Sequence, residues 1–102
     1  MDESARIYYD ETDRLVLEER ERQDEKWGHQ DHTFDEWLPI LIEEVGECSQ
    51  RWLKGNFGGW NERRRRLYLE ELVQVVAVAH HILENEIKRG VPASPTVQEF
   101  DH

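Results

Sequence analysis

Glycine and proline divide this chain into three long tracts and rarely interrupt them. Gly28 closes a stretch from about Glu11 to Lys26 that is rich in Glu, Arg, Gln and Leu, all good helix formers. Thr33-Phe-Asp-Glu36 has capping-box spacing, so a second helix opens there and should run to about Lys54, with Gly55 placed to end it. Pro39 falls in its first two turns and removes few hydrogen bonds if Asp35 rather than Thr33 is the cap. After the glycine-rich turn Asn56-Phe-Gly-Gly-Trp60, Asn61 can cap a third helix to about Arg89, where Gly90 and Pro92 stop it. No alternating segment reads as a strand, and residues 1–9 carry no clear signal. The expected fold is all-α, with three main helices in one domain over residues 1–90 and a flexible tail over 91–102.

Periodicity orients the helices. Leu38, Leu41, Val45, Cys48 and Trp52 recur at three- and four-residue steps, which predicts an apolar core stripe on the second helix. Trp37, Ile40, Glu44, Glu47 and Arg51 form a second stripe about a quarter-turn away, with Lys54 continuing its line. The third helix is apolar on most sides, through Leu67, Leu69, Leu72, Val76, Ile82 and Leu83, which predicts burial within a bundle. Yet the chain is only 37% hydrophobic and 35% charged, against about 45–50% and about 25% in ordinary domains. So lean an inventory predicts a core shared between subunits, in a homodimer or homotetramer.

Charge and cysteine content narrow the class. A net charge of −10 disfavours binding along a nucleic-acid backbone. The one strongly basic spot is Arg63-Arg64-Arg65-Arg66, which covers every side of a helix and reads first as a solvated or intersubunit surface. A single cysteine, Cys48, permits no intrachain disulfide and fits a reducing cytoplasm. No apolar run has membrane-spanning length, and the charged N-terminus does not read as a signal peptide.

The chemistry concentrates in two acidic clusters, Glu43-Glu44-Val-Gly-Glu47 and Glu70-Glu71-Leu-Val-Gln74, each set in an apolar run. Glu44 and Glu47 are i,i+3 neighbours, as are Glu71 and Gln74. A short turn between helices two and three would bring both clusters to similar heights in an antiparallel pair. Several carboxylates in a poorly hydrated place need a counter-charge, and a hard divalent cation supplies one. Lys54, then Lys26 and Arg51, are the candidate phosphate-binding cations. Trp27 and Trp60 flank helix two and could stack on a base, whereas Trp37 and Trp52 read as packing. The Gln23 amide has the groups to read a base edge. His80 and His81 point about 100° apart and cannot share one helix-face site, and Cys48 reads as packing.

Glu43-Glu44-Val-Gly-Glu47, followed after 23 residues by Glu71-Leu-Val-Gln74, resembles the EExxE…ExxD signature of MazG-like all-α nucleoside triphosphate pyrophosphatases. Glu21-Arg-Gln23-Asp-Glu-Lys26-Trp27-Gly28 and the stretch from Glu71 to Ala79 look more narrowly like the small MazG-like proteins of phages and actinobacteria. The resemblance spans roughly residues 18–87. It implies Mg²⁺-dependent hydrolysis (with Mn²⁺ as a substitute) of a nucleoside triphosphate, a deoxynucleotide in particular, to monophosphate and pyrophosphate. By position, Glu44, Glu47 and Glu71 would be metal ligands and Gln74 the fourth. Glu43 would either support a ligand or act as the base that orients the attacking water. Gln74 departs from the family's aspartate and removes one negative charge, so metal affinity should fall or one metal position be lost. The rival reading is a non-catalytic helical oligomer that binds metal or nucleotide.

Overall fold

The computed structural model describes residues 1–90, so the tail expected over 91–102 lies outside the described residues. Three helices make up the fold: α1 (Glu3–Trp27), α2 (Phe34–Gly58) and α3 (Glu62–Lys88). No strand occurs among the described residues, and the all-α expectation holds. α1 starts eight residues before the expected Glu11, at Glu3. The cause is local: Asp2 accepts a hydrogen bond from Ala5 N at 2.8 Å, and Arg6 pairs with Asp10 one turn later.

α2 opens at Thr33, whose N and Oγ1 both donate to Glu36 Oε1 at 2.9 and 3.0 Å. The cap is therefore Thr33, not Asp35. Pro39 lies further into the helix than the Asp35 reading required and leaves the Asp35 carbonyl without its helical donor. The helix also runs through Gly55, the expected stop, to Gly58. Gly55 serves a different purpose: a Cβ there would come within 2.5 Å of the Trp60 indole. The chain actually turns at Gly59, with φ 90°, in the left-handed region glycine favours. Arg64 Nη1 then donates to the carbonyls of Gly58 and Gly59 at 2.7 Å each, satisfying two acceptors at the end of α2. Asn61 caps α3 as expected, accepting from Arg64 N at 2.8 Å.

α3 is the spine of the protein. α1 and α2 both pack on it and not on each other. α2 runs antiparallel to it: Trp37 meets His81 with ring centroids 4.6 Å apart, and Trp52 meets Tyr68 at 5.4 Å. The core is small and partly polar. Val16, Trp37, Ala77 and Val78 are buried together with Arg20, Gln23, His81 and Asn85. Arg20 Nη1 donates to His80 Nδ1 at 2.6 Å, and its Nη2 reaches both oxygens of Glu84 at 3.2 Å, fastening α1 to α3.

The expected core stripe of α2 is only partly covered. Leu41 and Cys48 are half-buried and Trp52 meets Tyr68, but Leu38, Val45 and much of Trp52 are exposed. The fully buried positions, Trp37 and Gly55, lie on the neighbouring side with half-buried Ile40, Glu44 and Arg51. α3, expected to be enclosed, likewise exposes Leu69, Leu72, Val76, Leu83 and Ile87. With only two partners around α3, three helices cannot cover every apolar face that they carry.

Candidate functional site

The buried face of α2 determines what the acidic residues meet. Because Trp37 and Gly55 both turn toward α3, the residues between them on the same stripe do so too, and Glu44 and Glu47 face Glu71 across the helix pair. One carboxylate oxygen from each of Glu44, Glu47 and Glu71 lies within 4.8 Å of the others. Gln74 closes the group. Turned so that its NH₂ meets the acids, the orientation that gives both of its polar groups partners, its amide donates to Glu44 Oε2 at 3.0 Å and to Glu71 Oε2 at 3.2 Å. The expected set of Glu44, Glu47, Glu71 and Gln74 is therefore brought together, although Gln74 presents a donor to the acids.

Electrostatics mark the cluster as short of positive charge. Partial burial pushes the Glu44 carboxyl above its ordinary range, and the charges of Glu47, Glu71 and Glu43 push in the same direction. Burial also raises Glu71, followed by the charge of Glu47, while Arg51 opposes the rise. Glu43 is exposed at the rim of this cluster. Burial raises the Cys48 thiol, which makes it a poorer nucleophile and fits its assignment to packing.

A groove of about 1060 Å³ between α1 and α3 leads to Gln74. Its α1 wall carries Leu15, Glu18, Glu19, Arg22, Lys26 and Trp27, and its α3 wall carries Glu62, Arg65, Arg66, Leu69, Glu70 and Val73. Glu19 holds Arg22 through bonds of 2.7 and 2.8 Å, and both residues act electrostatically on Glu44. The groove thus meets the acidic cluster at its Glu44 end. Trp27 is half exposed and lies under two cations, with Lys26 Nζ 4.7 Å and Arg22 Cζ 6.0 Å from the ring centroid.

The other candidate residues are dispersed. Arg51 sits beside Glu71, but Lys54 lines a separate depression with Arg51, Asn61, Arg63, Arg64 and Leu67. Gln23 does not line the groove; it is buried and donates to Glu19 Oε2 at 3.0 Å. Trp60 packs against Trp52 and Tyr68, at 5.3 and 5.7 Å. Sequence reasoning missed the groove face of α1. Lys26 and Trp27, both expected at the site, do line it, and Leu15, Glu19 and Arg22 recur with Lys26 at four- and three-residue steps, a mixed polar face that opens onto the groove.

A second polar group occupies the junction of α3 with α1 and the start of α2. Both nitrogens of His81, Trp37 Nε1, Asn85 Oδ1 and Arg20 Nε are buried without a hydrogen-bond partner. Burial lowers the His81 pKa, and the charge of Arg20 lowers it further. Comparison with protein-family models, with curated proteins and with solved structures returned no match.

Proposed function

We propose that this chain is a Mg²⁺-dependent nucleoside triphosphate pyrophosphohydrolase that acts as a cytoplasmic homo-oligomer and releases a monophosphate and pyrophosphate. The observation carrying this reading is the convergence of Glu44, Glu47 and Glu71 at the end of a groove lined by Trp27 and by four cations, Arg22, Lys26, Arg65 and Arg66, interleaved with as many acids. The resemblance of the two acidic half-motifs to the MazG-like signature supports it.

The donor set fits a hard divalent cation. It offers oxygen ligands, it is partly desolvated, and burial together with the neighbouring acids holds two carboxyls above their ordinary range. When bound, Mg²⁺ supplies charge neutralisation for the phosphates and for the leaving pyrophosphate. Lys26, with Arg65, holds phosphate oxygens in the groove, and Trp27 offers a face for the base. Glu43, at the rim, orients the attacking water or supports a neighbouring ligand. Gln74 joins the ligand set only by turning its amide to present the carbonyl oxygen. The groove's volume lies at the upper end of the range for small-molecule sites, about 300–1,000 Å³.

The exposed apolar residues support the oligomer. Leu38, Ile42, Val45 and Leu53 on α2, with Leu72 and Val76 on α3, would leave more uncovered apolar surface than a monomer of this size ordinarily tolerates.

The second reading, a binding module without turnover, is favoured by Gln74, whose NH₂ already bridges Glu44 and Glu71 without an ion. Incubation with a panel of canonical and modified nucleoside triphosphates and Mg²⁺ separates the two. Monophosphate and pyrophosphate that vanish on Glu44→Ala or Glu71→Ala support the enzyme. Nucleotide binding without product from any substrate refutes it in favour of the module.

A further inference from the structure

The cations of this chain are unevenly matched. Of 13 lysines and arginines, seven lie within ion-pair distance of a carboxylate among the described residues. Two of the remaining six, Lys26 and Arg65, line the large groove. The other four, Arg51, Lys54, Arg63 and Arg64, converge on the depression between the last turns of α2 and the start of α3. In a chain with 23 acidic residues, four positive charges gather in one small concavity whose lining holds no acid, and they repel each other there, although Glu71 acts on Arg51 from outside it.

The concavity is also built. Arg64 is held by the Gly58 and Gly59 carbonyls, and a Cβ at Gly58 would come within 2.8 Å of its guanidinium. Leu67 gives an apolar wall, and Asn61 stands at the edge. At about 280 Å³ the depression falls below the usual size for a nucleoside-sized ligand and suits a small, multiply charged anion. Arginine forks and a lysine match phosphate oxygens in geometry and charge. Arg51 also acts on Glu71, so the depression begins where the acidic cluster ends.

We infer that this depression is a binding site for a condensed phosphate, either free inorganic pyrophosphate or the terminal phosphates of a nucleotide. The inference goes beyond the proposed hydrolysis and does not depend on it. Calorimetric titration of the full chain with sodium pyrophosphate, at low ionic strength with a chelator present, keeps metal-bridged binding at the acids out of the measurement. Pyrophosphate is expected to bind the unaltered protein, and a Lys54→Gln/Arg63→Gln double variant should weaken it by about tenfold or more. Arg6→Gln/Arg14→Gln, which removes the same charge from an exposed part of α1 outside both depressions, should leave it unchanged, and Lys26→Gln/Arg65→Gln tests the other groove. Circular dichroism of each variant checks that the helices persist.

Titration with a nucleoside triphosphate distinguishes the sources. A parallel loss in the Lys54/Arg63 variant assigns the site to terminal phosphates, and unchanged nucleotide binding assigns it to free pyrophosphate. No binding by the unaltered protein, or loss only in the Lys26/Arg65 variant, overturns the inference. Because no turnover is measured, a protein that binds pyrophosphate here but hydrolyses nothing refutes the catalytic reading alone.

Discussion

Replacing Gln74 by glutamate exchanges one NH₂ for an oxygen at nearly constant shape, at the point where the acidic cluster is held together. The amide now donates at 3.0 and 3.2 Å to two carboxylates. Bonds to charged groups are worth about 1.5–3 kcal/mol each when buried. Glu44 and Glu71 are only partly buried, so about 2 kcal/mol for the pair is a fair figure after allowing for solvent. The new carboxylate adds repulsion of about 1 kcal/mol per neighbour at 4 Å in water and more in a drier setting, limited by uptake of a proton. The metal-free variant should therefore lose about 2–4 kcal/mol, which lowers Tm by at least about 10 °C in a domain of this size.

Mg²⁺ should reverse the effect. At a hundredfold excess over Kd it returns about 2.7 kcal/mol, and the variant should respond more steeply than the parent because its site carries one more charge. Acid should also restore stability without metal. The raised carboxyls bind protons more tightly folded than unfolded, so their repulsion is relieved as pH falls toward their folded pKa values. Scanning calorimetry in chelator and in a Mg²⁺ series measures both effects. Equal Tm values for parent and variant in chelator, or identical Mg²⁺ responses, would refute the reasoning.

Two glycines on α2 should answer alanine with opposite signs. Gly55→Ala forces the Trp60 ring away and should cost about 1–3 kcal/mol, whereas Gly46, with nothing within 4 Å, should gain about 0.5–1 kcal/mol in chemical denaturation. His81 is held neutral by burial, so its folded pKa lies below the unfolded one. Stability should fall as pH drops below about 6.5, where the unfolded chain takes up the proton first, and a His81→Phe variant should flatten that part of the profile. Glu84 is held at about 2 by Arg20 and Lys88, so its contribution is complete above the ordinary carboxylate range and disappears in strong acid. Light scattering should return a mass of at least two chains, and charged substitutions at Ile42 and Val45 should lower it; a monomeric mass removes the shared-core expectation.

The features legible in the sequence were the ones with local causes. Thr33 with Glu36, and Asn61, are capping signals readable from a few residues, and they placed the starts of α2 and α3 correctly. The acidic group was legible because i,i+3 spacing on two antiparallel helices leaves few other arrangements. Gly55 was misread because its reason, the Trp60 ring, lies across a turn. The deepest face of α2 lies about a quarter-turn from the expected one, because hydropathy alone assumes that the most apolar face turns inward, and here the face with Trp37 and Gly55 packs more closely. The groove was invisible because α1 is set in place by Arg20 against His80 and Glu84, a contact between residues 60 or more positions apart.

That fastening has a consequence for motion. α2 and α3 form a hairpin of neighbouring helices, whose contacts close short loops and form early. α1 holds to the hairpin through three buried side chains, Val16, Arg20 and Gln23, and two of these are polar. Little apolar surface resists its release, so its amides should exchange with solvent sooner than those of α3. The groove exists only while α1 is docked, and α1 carries Arg22, Lys26 and Trp27. A ligand bridging its two walls would therefore report as slowed exchange along the whole of α1, including first turns that line no part of the groove.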